Sequence, residues 1–338
     1  MRDRAMVLPL ICIVPTGLLI CAIAQAEERA CTLEVPAIVV LPDFGLVRDL
    51  GPSAFTTEGK HGPGTVTSVE TRSGPRRILF VVETGKQVPV AARKVEFEII
   101  SEILSKAASE DTFALITSRG PRNEIGFGTS RETVAGSAAA IEKDLGGWSQ
   151  KSGVLDSILE AIERFQSPRE GDAIVVLTLG IESNHYAAYG TVRDALVKAH
   201  VRLFGLQLGP IINAIGAVPR YLGNDRFQPG WMDPNRENLF ALTRASGGFA
   251  TWENAAGGPG GEYKLTNERL LAVKHMALQI YRAVARYYSI QIENPPSDFA
   301  LDLASSVRKD LPQARLNYAN RSRECKATPP VQLGATSR

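Results

Sequence analysis

The chain has 338 residues, 44% of them hydrophobic, and its 38 Lys and Arg against 36 Asp and Glu give a formal net charge of +2. This length and composition fit one large globular domain or two smaller ones. The near balance of charge, without a block of basic residues, excludes the strongly basic surface that a nucleic-acid-binding protein needs.

The start of the chain has the composition of a secretory signal peptide. Arg2 and Arg4 precede an apolar stretch at 6–23, and the small residues of Ala24-Gln25-Ala26 precede a cleavage point before Glu27. The alternative is an uncleaved membrane anchor, because the stretch is almost long enough to span a bilayer. We expect cleavage after residue 26, and therefore a periplasmic or secreted product with no stable membrane anchor.

Cleavage leaves two of the four cysteines. Cys12 and Cys21 leave with the signal peptide, whereas Cys31 and Cys325 remain near the two ends of the mature chain. Exported proteins can form disulfides, so we predict a bridge between Cys31 and Cys325. The alternative is a pair of free thiols.

Segments of different pattern follow in chain order. Residues 27–75 hold short β-like pieces separated by Gly, Pro and Asp, and residues 287–320 have the same pattern. Between them, residues 76–286 alternate short apolar runs with amphipathic stretches. We expect residues 321–338 to form a disordered tail. The predicted strands of the middle segment are 78–82, 112–117, 173–178 and 201–208, and its predicted helices lie within 95–104, 154–162 and 267–286.

The alternation of strands and helices predicts an α/β fold. We expect a doubly wound, mostly parallel sheet flanked by helices, with small flanking β segments. In such folds ligands bind at the carboxyl ends of the strands. The predicted strand at 78–82 runs directly into Glu83-Thr84-Gly85-Lys86-Gln87, which makes this short polar loop a candidate binding loop.

The sequence lacks the motifs of common enzyme classes. A phosphate-binding G-x-x-x-x-G-K-[ST] loop ending at Gly85-Lys86 would need glycine in place of Phe80 and a hydroxyl in place of Gln87. No G-x-S-x-G elbow occurs, and the four histidines do not have the H-E-x-x-H spacing. We therefore predict no catalytic residues and no cofactor. Two alternatives stay open: an enzyme with an unrecognised site on the same face, and a structural envelope protein.

The chain resembles the exported VWFA-related proteins of the acidobacterial type, in which a β segment precedes a von Willebrand factor type A domain. The resemblance covers residues 33 to about 320 and implies a doubly wound α/β sandwich whose ligand face lies at the carboxyl ends of the strands. The stretches that carry it are LGPSAF at 50–55, EGK at 58–60, ILFVV at 78–82, AIVVLTLG at 173–180, ASGGF at 245–249 and ARYY at 285–288.

In that family a D-x-S-x-S loop follows the first strand and holds a divalent metal. By the resemblance, Glu83 stands in place of the aspartate, and Gly85 and Gln87 stand in place of the two serines. Ser152 falls near the family's threonine, and Leu179 falls on a later aspartate. A hard cation needs several oxygen ligands. The resemblance therefore implies a degenerate metal-ion-dependent adhesion site, and we expect no bound metal.

The remaining prediction is a protein partner, of unknown identity, at this face. Lys86 is a candidate to replace the positive charge of the metal by pairing with Glu83 or with a carboxylate of the partner. The alternative is a solvated loop lysine. The predicted ligand-binding face consists of Glu83, Lys86, Gln87, Ser152, Glu182, Asn184 and His185.

Overall fold

The fold is that of a computed structural model, which describes residues 31–59, 62–84, 88–118, 124–143, 153–179, 187–208, 239–253, 265–295, 299–319 and 326–327. Its central element is a five-stranded sheet in the order β5-β4-β6-β7-β8, in which every neighbouring pair is parallel. The strands are β4 (Arg77–Val82), β5 (Thr112–Thr117), β6 (Ala173–Thr178), β7 (Arg202–Gln207) and β8 (Ala250–Trp252).

Helices cover both faces of this sheet. Along β4, Ile78 and Phe80 point into one apolar cluster, whereas Leu79 and Val81 point into the other. A strand buried on both faces is a continuous apolar run, which is the pattern of these strands in the sequence. The first face carries α1 (Val90–Lys106), α2 (Arg131–Lys143) and α6 (Asn267–Ala285), and the second carries α3 (Val154–Arg164), α4 (Tyr189–Ala199) and α5 (Leu239–Ala245).

Strand order reverses at the centre of the sheet. From β4 the chain passes to β5 on one side, and from β5 it crosses to β6 on the other side of β4. The carboxyl ends of β4 and β6 therefore form the topological switch point, where open α/β sheets leave a crevice for ligands. The predicted fold class is confirmed: a doubly wound parallel sheet flanked by helices, with β segments beside it.

A second, antiparallel sheet joins residues from the two ends of the chain. Its order is β11-β1-β9-β3, and β12 also pairs with β1. A two-stranded ribbon of β2 and β10 accompanies it, and the sheet and the ribbon share an apolar cluster. The elements of this layer are β1 (Cys31–Val40), a 3-10 turn (Pro52–Ala54), β2 (Phe55–Glu58), β3 (Thr65–Arg72), β9 (Tyr287–Glu293), β10 (Ala300–Leu303), α7 (Ser305–Asp310), β11 (Arg315–Tyr318) and β12 (Lys326–Ala327).

The start of β1 is fixed on both of its sides. Cys31 exchanges hydrogen bonds with Asn294: its N–H donates to Asn294 Oδ1 at 3.1 Å, and the Asn294 N–H donates to the Cys31 carbonyl at 2.7 Å. On the other side Lys326 and Ala327, which belong to the segment expected to be disordered, pair with Thr32 and Cys31 as β12. Cys31 is disulfide-bonded. Because Cys325 lies outside the described residues, its pairing with Cys31 stays a prediction.

The amino edge of the parallel sheet is held by an ion pair in which the carboxylate is buried and the arginine is partly buried. Two N–H groups of Arg77, at the start of β4, donate to the two carboxylate oxygens of Asp172, which precedes β6. The same guanidinium donates to the carbonyls of Phe165 and Ser167, at 3.0 and 2.7 Å. The Asp172 side chain is 1% exposed, and it also accepts the N–H of Arg169 at 2.8 Å. This bidentate pair ties two neighbouring strands to the loop that precedes β6.

A second buried arginine binds the carboxyl end of α6. Arg202, at the start of β7, donates to the carbonyls of Ala283 and Val284 at 2.9 and 2.7 Å. Its guanidinium carbon lies 4.1 Å from the centre of the Tyr287 ring. Burial lowers the pKa of Arg202 to about 10, which leaves the side chain charged at neutral pH. A cation at a helix carboxyl terminus satisfies carbonyls that have no partner within the helix and opposes the helix dipole.

In the described part of the chain, no helix combines the length and the apolar character needed to cross a membrane. The predicted signal peptide at 1–26 lies outside the described residues.

Candidate binding site at the carboxyl edge of the parallel sheet

The site is built where β5, β4 and β6 end side by side. The Glu83 N–H donates to the Leu177 carbonyl at 2.8 Å, and the Ser118 N–H donates to the Val82 carbonyl at 2.9 Å. The strand ladder therefore continues one residue past each strand end. Glu83 and Ser118 are held in register at the switch point, and the candidate binding loop 83–87 begins from this fixed position.

Glu83 is completely buried and bonded within the protein. Its exposed fraction is 0%, and its Oε2 accepts the Thr178 hydroxyl and, at 2.7 Å, the Leu179 N–H. Hydrogen bonds to a carboxylate are among the strongest in proteins. Glu83 therefore fastens the end of β4 to the end of β6, which is a bracing role. Its part in ligand binding stays a prediction.

A second side-chain bond fastens the other neighbour of β4. The Thr84 N–H donates to Ser118 Oγ at 3.0 Å, and both residues are buried. Three strand ends are thus joined through Glu83, Thr84, Ser118 and Thr178.

Glu96, on the buried face of α1, is a charged residue that the sequence analysis did not select. It is 2% exposed, and neither of its carboxylate oxygens has a hydrogen-bond partner. Burial raises the pKa of Glu96 well above its ordinary value, the neighbouring Glu83 raises this pKa further, and Arg93 opposes both effects. A signal was present in the sequence: Glu96 lies three residues before Ile99 and four after Ala92, in the apolar stripe of the helix.

The starts of α3 and α4 are joined at the same edge. Asp156, in the first turn of α3, accepts the N–H of Ala187 through Oδ1 at 2.8 Å. Ala187 lies just before α4, where the described chain resumes after residue 186. This bond brings the residues that flank two predicted binding segments, around Ser152 and around 182–185, to one place.

Of the seven predicted face residues, Glu83 is described, and Lys86, Gln87, Ser152, Glu182, Asn184 and His185 lie outside the described residues. Neighbours of each predicted segment are described: Thr84 before 85–87, Gly153 after Ser152, and Leu179 and Ala187 around 182–185. Thr84 is bonded to Ser118, Leu179 to Glu83 and Ala187 to Asp156. The idea that Lys86 replaces the charge of a metal stays a prediction.

The donor set at this edge is poor in metal ligands. Leu179, which the resemblance aligns with an aspartate, is an apolar side chain with 2% exposure. Among the described residues, no group of three or more His, Cys, Asp and Glu side chains is arranged to hold a metal ion. The described residues thus offer Glu83 as the one carboxylate at the ends of β4 and β6, and protein donors occupy its Oε2.

The fold and the carboxyl edge of its parallel sheet define the class of this protein. It is an α/β protein with a doubly wound parallel sheet, a switch point at which Glu83 joins two strand ends, and an attached antiparallel layer. No family profile matches the chain, and no curated protein matches it.

Three solved structures are similar to parts of this chain. An aerotolerance-related membrane protein from Bacteroides fragilis is 14% identical over 62% of this chain and 99% of its own, with a TM-score of 0.38. A von Willebrand factor type A protein from Catenulispora acidiphila is 9% identical over 74% of this chain and 50% of its own, with a TM-score of 0.39. Proximal thread matrix protein 1 from the mussel byssus is 9% identical over 70% and 51%, with a TM-score of 0.41. At scores this low, no inference about function follows.

Proposed function

We propose that this chain is an exported protein–protein interaction or adhesion module with a von Willebrand type A-like core. Its partner is a protein that binds at the carboxyl edge of the parallel sheet. Binding there does not require a divalent metal, and the chain does no catalysis.

The observation that carries the proposal is the environment of Glu83. This residue stands at the switch point, where α/β folds bind their ligands, yet its carboxylate accepts the Thr178 hydroxyl and the Leu179 N–H. Carboxylate oxygens that serve internal hydrogen bonds are not freely offered to a cation, and Leu179 contributes no side-chain oxygen. Both features favour a rigid platform for loops over a metal centre.

The same contacts support a role without catalysis. Thr178 is the hydroxyl residue that the edge brings against a carboxylate, which is the arrangement of an activated nucleophile. However, Thr178 is 2% exposed and Glu83 is 0% exposed. A substrate from solvent does not reach the hydroxyl, so the pair is better suited to joining strand ends.

A capture experiment with two lysine variants tests the proposal. Mature protein fixed to a support is exposed to periplasmic extract of the native host, and the retained proteins are compared for wild type, Lys86→Ala and Lys106→Ala. Lys106 is a matched control because it lies in the last turn of α1, at the opposite end of the helix from the loop, and pairs loosely with Glu102 at 3.9 Å. We expect Lys86→Ala to weaken retention of a specific protein and Lys106→Ala to leave it unchanged. Equal retention by all three would contradict binding at this edge.

Export is tested separately. We expect the mature protein to begin at Glu27, which N-terminal sequencing of secreted or periplasmic material determines. In the unfolded, unreduced mature protein we expect almost no free thiol, because Cys31 and Cys325 are its two cysteines. Two reactive thiols per chain would disprove the bridge.

A further inference from the structure

Glu96 combines deep burial with the lack of any hydrogen-bond partner in the described part of the chain. It lies in the stripe of α1 formed by Ala92, Val95 and Ile99, all of which are 0% exposed. Both of its carboxylate oxygens are buried without a donor. An ionised carboxylate is strongly disfavoured in such surroundings, and a group in this position takes up a proton instead.

The larger of the two charge effects on Glu96 works in the same direction as burial. After burial, Glu83 makes the largest contribution that raises the pKa of Glu96, and Arg93, one turn earlier on α1, lowers this pKa by a smaller amount. On the other helices packed on α1, Lys274, His275 and Arg131 have partners of their own. On α6, Lys274 pairs with Glu98 at 3.6 Å and His275 is bonded to Gln279; on α2, Arg131 donates to the Ala107 carbonyl at 3.1 Å.

We propose that Glu96 is a proton-binding site coupled to the carboxyl edge of the sheet. Glu96 holds its proton to higher pH than an ordinary glutamate and is neutral while it does so. As pH rises, hydroxide removes the proton to give water, and the new carboxylate repels Glu83. The repulsion loosens the hydrogen bonds that Glu83 accepts from Thr178 and Leu179. The site and its coupling stand on Glu96 and Glu83 alone; a resulting loss of partner affinity at alkaline pH rests on the proposed function.

The coupling has a defined sign in the unfolding equilibrium. In the unfolded chain Glu96 has the pKa of an ordinary glutamate, 4.5. In the folded chain its pKa is higher, so Glu96 keeps its proton to higher pH. The stability that Glu96 contributes is therefore fully present below the unfolded pKa and is lost as pH rises through the folded pKa. Each pH unit in that window lowers the folding equilibrium constant by about tenfold.

Urea unfolding as a function of pH tests the site. Wild type, Glu96→Gln and the control Glu98→Gln are compared between about pH 5 and about pH 9, a range that lies above the ordinary glutamate pKa. Glutamine has the size of glutamic acid and stays neutral. We expect Glu96→Gln to lose less stability than wild type as pH rises, and Glu98→Gln, on the same helix, to follow wild type. The same pH dependence in Glu96→Gln and wild type would overturn the proposal.

Nuclear magnetic resonance of the wild type tests the coupling between Glu96 and the carboxyl edge. It also tests the proton site itself if Glu96→Gln does not fold. The side-chain carboxyl carbon of Glu96 is followed together with the backbone amide nitrogen of Leu179. We expect Glu96 to titrate at higher pH than the exposed glutamates, and the Leu179 signal to shift in the same step. The proposal would be contradicted if Glu96 titrated in the same pH range as the exposed glutamates. It would also be contradicted if the Leu179 signal did not shift when Glu96 titrates. Neither measurement uses a partner, so a failure to capture any protein would count against the proposed function alone.

Discussion

The two edges of the parallel sheet differ in the partners that they give to buried ionisable side chains. At the amino edge, Arg77 meets Asp172 in a bidentate pair and Arg202 binds the carbonyls at the end of α6. At the carboxyl edge, Glu83 accepts hydrogen bonds from neutral groups, and Glu96 has no hydrogen-bond partner. One edge is closed by opposite charges, whereas at the other the charge of Glu83 disfavours ionisation of the buried Glu96. The amino edge therefore serves stability, whereas the carboxyl edge retains a buried acid with a raised pKa, of the kind often found at functional sites.

The largest effect is expected at the amino edge. Replacing Asp172 by alanine leaves the Arg77 guanidinium without its carboxylate and the Arg169 N–H without its acceptor. Breaking a buried ion pair by removing one partner typically costs about 3–5 kcal/mol, and we expect about 3 kcal/mol for Asp172→Ala in the free energy of unfolding by urea. Asp194→Ala is the control, because Asp194 makes an exposed pair with Arg193, and it should change stability little. Equal effects of both changes would contradict the role given to the amino edge.

A smaller loss is expected for Glu83→Ala at the carboxyl edge. The substitution removes the acceptor of the Thr178 hydroxyl and the Leu179 N–H, and the unpaired buried groups should cost about 1–3 kcal/mol. It also removes the charge that raises the pKa of Glu96, so the pKa of Glu96 should fall towards its ordinary value. Glu83→Gln, which keeps one acceptor oxygen, should lose less stability. Urea unfolding measures the first effect and carbon titration of Glu96 the second; an unchanged Glu96 titration in Glu83→Ala would show that the two acids are not coupled.

The smallest effect is expected from metal ions. If the carboxyl edge works without a cation, chelator and millimolar magnesium, manganese or calcium should give the same midpoint of thermal unfolding and the same partner affinity. A ligand that binds the folded state alone would raise that midpoint. Stabilisation by one of these ions that disappears in Glu83→Ala would show that an altered ligand set still binds metal at this edge.

The regular part of the fold was accessible from the sequence for a physical reason. The strands β4 to β7 are buried on both faces, so each is a continuous apolar run, and the helix periodicity of 95–104 corresponds to the buried stripe of α1. Glu96 was missed because an acidic residue within an apolar stripe is usually taken as solvent-exposed. Its burial is a tertiary property of the helix packed between the sheet and its neighbours.

The pairing of the flanking β segments was not accessible in the same way. The sequence predicts separate β-like pieces within 27–75 and 287–320, but the register that sets Ala37 opposite Tyr288 joins residues about 250 positions apart. Periodicity within a strand predicts its faces and contains no information on a distant partner. Likewise, the pattern of residues 326–327 gave no sign of a strand, because β12 exists through its contact with β1.

The position of β1 has a consequence for the order of folding. β1 is formed by the first described residues, yet it lies between β9 and β11, which come about 250 positions or more later in the sequence. During synthesis the parallel core can collapse from neighbouring segments, while β1 cannot pair with β9 until β9 has emerged. Contacts of such long sequence separation form slowly, since the entropy of closing the loop is lost before the contact forms. We therefore expect the antiparallel layer to form late, after the parallel core.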